Sequence, residues 1–97
     1  MYVAIHHTIT DAKKWNEGVE KLMPAIESGQ LPPGIKALQF LPSADGRRAD
    51  CLWQCESVES LRRFLEPNTA GASKDEYFQI DQESAIGLPQ ATADAAR

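Results

Sequence analysis

Apolar and polar residues alternate through residues 50–56: Cys51, Trp53 and Cys55 share one parity, and Leu52, Gln54 and Glu56 the other. Successive side chains of a strand face opposite sides, so this stretch predicts a strand with one apolar face and one mixed face. Residues 2–9 alternate the same way, with Val3, Ile5, His7 and Ile9 against Tyr2, Ala4, His6 and Thr8, and they carry the β-branched residues that strands favour. Residues 35–41 set Leu38 and Phe40 against Ala37, Gln39 and Leu41, and residues 76–81 set Phe78 and Ile80 against Tyr77, Gln79 and Asp81. Between these stretches the period changes. Trp15, Val19, Leu22 and Ile26 recur at helical spacing and predict an amphipathic helix over residues 12–28. Thr10 or Asp11 can cap its start, Gly29 can stop it, and Pro24 is expected to kink or break its last turns. Ser57 opens a second helix over residues 58–65, which buries Val58, Leu61 and Leu65 and ends before Pro67. Pro and Gly mark a loop at residues 30–34, and Asp45-Gly46 marks a hairpin tip.

The resulting order, βαββαβ, predicts an α+β fold: a ferredoxin-like, four-stranded antiparallel sheet with two helices on one face. Val3, Ile5, Leu38, Phe40, Trp53, Phe78 and Ile80 should meet the helices. The other face should carry Tyr2, His6, Gln39, Leu41, Leu52, Gln54, Glu56, Tyr77 and Gln79. A face so rich in apolar groups is rarely left to solvent, so a homodimer through the free sheet face is expected. Ile86 and Leu88, beyond the last strand, also need a place to pack. Residues 1–89 should form the domain, and the Ala-rich residues 90–97 a flexible tail.

Composition narrows the partners. The chain has 97 residues, 42% of them hydrophobic, and a net charge of −4. Its basic residues cluster no further than Arg47-Arg48 and Arg62-Arg63, which argues against nucleic acid and against an anionic membrane surface. With no apolar run of ~20 residues and no secretory leader pattern at residues 1–7, a cytoplasmic protein is the expectation. Cys51 and Cys55, four apart on a strand, should stand ~13 Å apart. That is too far for a disulfide, so both are read as small buried hydrophobes.

The order of elements, the size and the half-polar free face resemble the dimeric α/β-barrel superfamily. Cys51-Leu52-Trp53-Gln54 running into Ser57-Val58-Glu59-Ser60-Leu61 also resembles a group of small bacterial proteins of uncharacterised function, one branch of which binds nickel. The resemblance spans residues 2–81. The histidine that the nickel branch places in the second helix is absent here, where the helix reads Leu61-Arg62-Arg63-Phe64-Leu65-Glu66. The superfamily includes cofactor-free oxygenases in which a pocket His or Asn polarises a phenolic substrate, so the resemblance implies a ligand pocket.

His6 and His7 must point to opposite faces of their strand, so one chain cannot bring both to one ion. Parity puts His6 on the free face with Tyr2, Gln54 and Gln79, as a candidate general base titrating near neutral pH. Gln39, Gln54 and Gln79 can donate and accept, and with Tyr2 and Tyr77 they form the candidate ligand-binding set; Glu56 could orient His6. His7 is expected to bond a helix-side backbone group near Asp11. The expected function is small-ligand binding near His6, with no cofactor and no metal site. The alternatives are a cofactor-independent monooxygenase or isomerase using His6 as base, and a domain binding nickel or another divalent metal.

Overall fold

Asp11 and Ser57 start the two helices as their side chains predict, accepting the backbone N–H of Lys14 at 3.1 Å and of Ser60 at 3.0 Å. In the computed structural model, which describes residues 1–89, the elements are β1 (Tyr2–Ile9), α1 (Ala12–Glu27), β2 (Lys36–Pro42), β3 (Arg48–Gln54), α2 (Val58–Thr69) and β4 (Ser73–Gln79). The strands form one sheet in the order β2-β3-β1-β4, and every pairing is antiparallel. This is the ferredoxin-like arrangement expected from the order of elements. The expectation for residues 90–97 lies outside the described residues.

Both helices cover the face that carries Val3, Ile5 and Trp53, where they bury Leu61 and Leu65 and pack Leu22, Ile26 and Phe64 alongside. Val3, Ile5 and Leu61 are fully enclosed. Removing each from water stabilises the fold by roughly 1.5–3 kcal/mol. Trp15, Ala49 and Ala72 form a second cluster at the other end of this layer. The helices cross so closely at Gly18 that a Cβ there would sit 2.5 Å from the Asn68 carbonyl oxygen.

Neither proline ends its helix. Pro24 lies inside α1, and its carbonyl accepts the Ser28 N–H at 3.0 Å, so the last turn continues. Pro67 lies inside α2, which runs on to Thr69 and closes with the Ala70 N–H on the Glu66 carbonyl. A proline this near a helix end forfeits one backbone bond in an exposed turn, where water can replace it.

β1 and β3 have the predicted facing, β2 has it at Gln39, Phe40 and Leu41 but not at Ala37, and β4 does not. In β2 the register slips between Ala37 and Gln39. Ala37 stands opposite Trp53 and Phe40 opposite Cys51, on the helix side, while Gln39 and Leu41 stand opposite Leu52 and Asp50, on the free side. Ala37 therefore joins the helix face, because one extra residue in a strand reverses the facing beyond it. β4 begins earlier than predicted, and its parity is inverted. Tyr77 pairs with Ile5 and Gln79 with Val3, on the helix side, while Phe78 pairs with Ala4 on the free side. Register in an edge strand follows its one pairing partner, and a shift of a single residue exchanges its two faces. Tyr77 is accommodated under α2 with the Arg62 guanidinium 4.3 Å above its ring. Beyond β4 the chain turns at Asp81, whose carboxylate accepts the Glu83 N–H and the Ser84 hydroxyl, and it returns until the Tyr2 hydroxyl donates to the Pro89 carbonyl at 3.4 Å.

Candidate functional site

A cavity of about 180 Å³ lies between the helices and the sheet. α1 lines it with Trp15, Val19, Leu22, Met23 and Ile26, β2 with Ala37, Leu38 and Phe40, and α2 with Leu65, Asn68 and Thr69. Its volume is comparable to the ~150 Å³ of an apolar cavity that holds benzene. Gly18 and Ala37 add little side chain to this lining, and Leu38 enters it at the β2 irregularity.

The polar end of the cavity is built on β1 and its two neighbours. His7, 2% exposed, extends from β1 between Cys51 of β3 and Asp75 of β4. Its Nδ1 lies 2.7 Å from Asp75 Oδ1 and its Nε2 lies 3.3 Å from Cys51 Sγ. The Ser73 hydroxyl donates to the same Asp75 oxygen at 2.7 Å, and the Trp15 ring lies 4.8 Å from the imidazole. Burial by itself raises the Asp75 carboxyl. Hydrogen bonds from His7 and Ser73, with the His7 charge and a bond from Thr69, outweigh burial and hold it below the ordinary carboxylate range. Asp75 is thus a carboxylate at neutral pH and takes the Nδ1 proton. In the neutral imidazole this leaves Nε2 as an acceptor, and the Cys51 S–H donates to it. Burial pushes the Cys51 thiol up to about 12, and the Asp50 and Asp75 charges add to the rise. The Trp53 indole N–H is buried and has no hydrogen-bond partner. Tyr77 is pushed up to about 12, first by burial and then by the Asp75 charge, and its hydroxyl also lacks a partner.

The sequence-predicted site residues separate onto different surfaces. His6 is on the free face as expected, with Nδ1 2.7 Å from Asp50 Oδ1. It stands between Asp50 and Glu76 across the sheet, on a face it shares with Tyr2, Gln39 and Gln54. Tyr77 and Gln79 are on the opposite side, so they do not converge with His6. Glu56 lies beyond the end of β3, beside Gly34, at the strand end remote from His6. His7 takes a carboxylate from β4 in place of a backbone group near Asp11. Cys51 is a hydrogen-bonding thiol at the cavity wall, whereas Cys55 is buried; both are free. The sequence reading missed the His7–Asp75 pair, although one signal was present: a histidine sharing the parity of Val3 and Ile5 must be buried, and a buried histidine needs a partner.

Among the described residues, no three His, Cys, Asp or Glu side chains are placed to hold a metal ion. No described helix is long and apolar enough to cross a membrane.

No family model and no curated protein matches this sequence. Solved structures do match. An antibiotic biosynthesis monooxygenase-like protein from Nitrosomonas europaea superposes with a TM-score of 0.51 at 17% identity, covering 84% of this chain and 99% of that one. A second such protein, from Bordetella bronchiseptica, gives a TM-score of 0.42 at 12% identity, covering 81% of this chain and 96% of that one. At such identity the first likeness establishes the ferredoxin-like fold and nothing more.

Proposed function

We propose that this protein binds a ring-sized, mostly apolar small molecule in the cavity between its helices and its sheet. The ligand would turn one polar group toward His7. The observation that carries the reading is the cavity itself: its walls are mostly apolar, and at His7 a buried imidazole nitrogen is satisfied only by a thiol. A thiol is a weak donor, so a ligand hydroxyl can displace it from Nε2 at a net gain. The base of this reading is His7, which lines the cavity, and not His6, which lies on the other face of the sheet. The solved structure that shares the fold is described as a monooxygenase, and turnover by this chain would use the same imidazole.

Titration with cyclohexanol and with methylcyclohexane, followed through the indole N–H resonances of Trp15 and Trp53, tests this. Both ligands should give saturable shifts, with cyclohexanol tighter by up to about tenfold, the worth of one net hydrogen bond. Absence of a saturable shift with either compound would remove the reading.

The homodimer through the free sheet face remains part of the proposal. Leu41 and Phe78 are more than half exposed on that face, flanking Leu52 and Ala4 across the sheet. Phe78→Lys should convert a dimeric mass in light scattering to a monomeric one; a monomeric parent would contradict it.

A further inference from the structure

We infer that the Cys51 thiol is the nucleophile of this cavity, and that it adds, with His7 as base, to an apolar α,β-unsaturated carbonyl compound. The inference rests on the cavity being a ligand site and names the chemistry that the site would carry. Three side chains from three strands form one relay: Cys51 Sγ 3.3 Å from His7 Nε2, and His7 Nδ1 2.7 Å from Asp75. Asp75 is a positioning residue, which fixes the imidazole tautomer with Nε2 free to take a proton. A fourth group points to the ligand. Trp53 lines the same cavity on a side chain only 3% exposed, and its buried indole N–H is a donor without a partner.

Burial keeps the resting thiol protonated, so sulfur can attack only as its proton leaves. In the step, the S–H proton passes to His7 Nε2 as the sulfur pair forms a bond to the β-carbon. The π pair of the carbon–carbon double bond moves to give an enolate, whose oxygen finds a donor in Trp53. The imidazolium then returns the proton to the α-carbon, leaving a saturated thioether. No leaving group, water or oxidant is needed. That suits a site whose walls are apolar, and it separates this substrate class from esters, whose leaving group would need a second proton donor.

The test uses the full chain with 2-cyclohexen-1-one, followed by intact mass and peptide mapping. The expected result is a single adduct on Cys51, forming at least tenfold faster than on glutathione at neutral pH. Its rate should stay flat across the mildly alkaline range, where a free thiol of pKa ~8.5 accelerates. His7→Gln should slow it by tenfold or more, within the usual range for losing a general base. Modification of Cys51 no faster than glutathione, or a rate indifferent to His7→Gln, would overturn the inference. The thiol comparison needs no variant and stands even if His7→Gln folds poorly. Cyclohexanone, which has the shape without the double bond, separates the two readings. Indole shifts with cyclohexanone and no adduct with cyclohexenone would remove the nucleophile alone; no shift with either would remove the cavity reading with it.

Discussion

His6 and His7 are neighbours in the chain, and each holds an aspartate at 2.7 Å, yet the sheet between them gives the two pairs different physics. The side chains of the His6–Asp50 pair are 39% and 63% exposed, and those of the His7–Asp75 pair 3% and 11%. The outer pair exchanges its contacts with water at little cost. The inner pair has lost water, and each member depends on the other and on Ser73 and Cys51. Distance alone does not make a site; the same two residue types at the same separation become chemically useful where solvent is excluded.

The largest test of this contrast removes the acids. Asp75→Ala should destabilise the fold by about 3–5 kcal/mol, because it strands a buried imidazole, whereas Asp50→Ala should cost about 1 kcal/mol or less. Urea unfolding of the two variants measures both, and similar losses would erase the contrast. Next, Gly18→Ala should cost about 1–3 kcal/mol in the same assay, since its methyl group would meet the Asn68 carbonyl across the helix crossing. A neutral result would mean that the helix layer over His7 is loose.

pH gives the third test. The Asp75 carboxyl is depressed in the folded chain, so its contribution is complete above the unfolded value of about 4. That contribution is lost as pH falls through the lower folded value. Unfolding free energy should therefore decline below about pH 4, and Asp75→Asn should flatten that decline while Asp50→Asn leaves it. The smallest effect belongs to the exterior: Ile86→Ser should change stability by less than about 0.5 kcal/mol, since Ile86 is 98% exposed in the single chain. A larger loss that grows on dilution would show a partner covering that residue.

The strands and helices were legible because each writes its own period, and both helix caps were legible from Asp11 and Ser57. The facing of β1 and β3 followed from strong alternation around Val3, Ile5, Cys51 and Trp53. β4 misled because Phe78 and Ile80 look more apolar than Tyr77 and Gln79, while register was fixed by pairing to β1. In β2 the irregularity at Ala37 and Gln39 leaves no local mark. The site was least legible of all. Its acid comes from 68 positions along the chain from His7, and its cavity is a space between elements that no single segment encodes.

The irregular pairing at Ala37 and Gln39 has a consequence for the chain in a crowded solution. β2 and β4 are the outer strands of the sheet, and each offers a row of unsatisfied backbone groups on which another chain could polymerise. On β2 the extra residue interrupts the spacing of those groups, so a foreign strand cannot zip along it. β4 has no such break, but it carries Lys74, Asp75 and Glu76, charges that discourage the same intruder. The irregularity beside the cavity is thus also of the kind that guards a sheet edge against fibre growth.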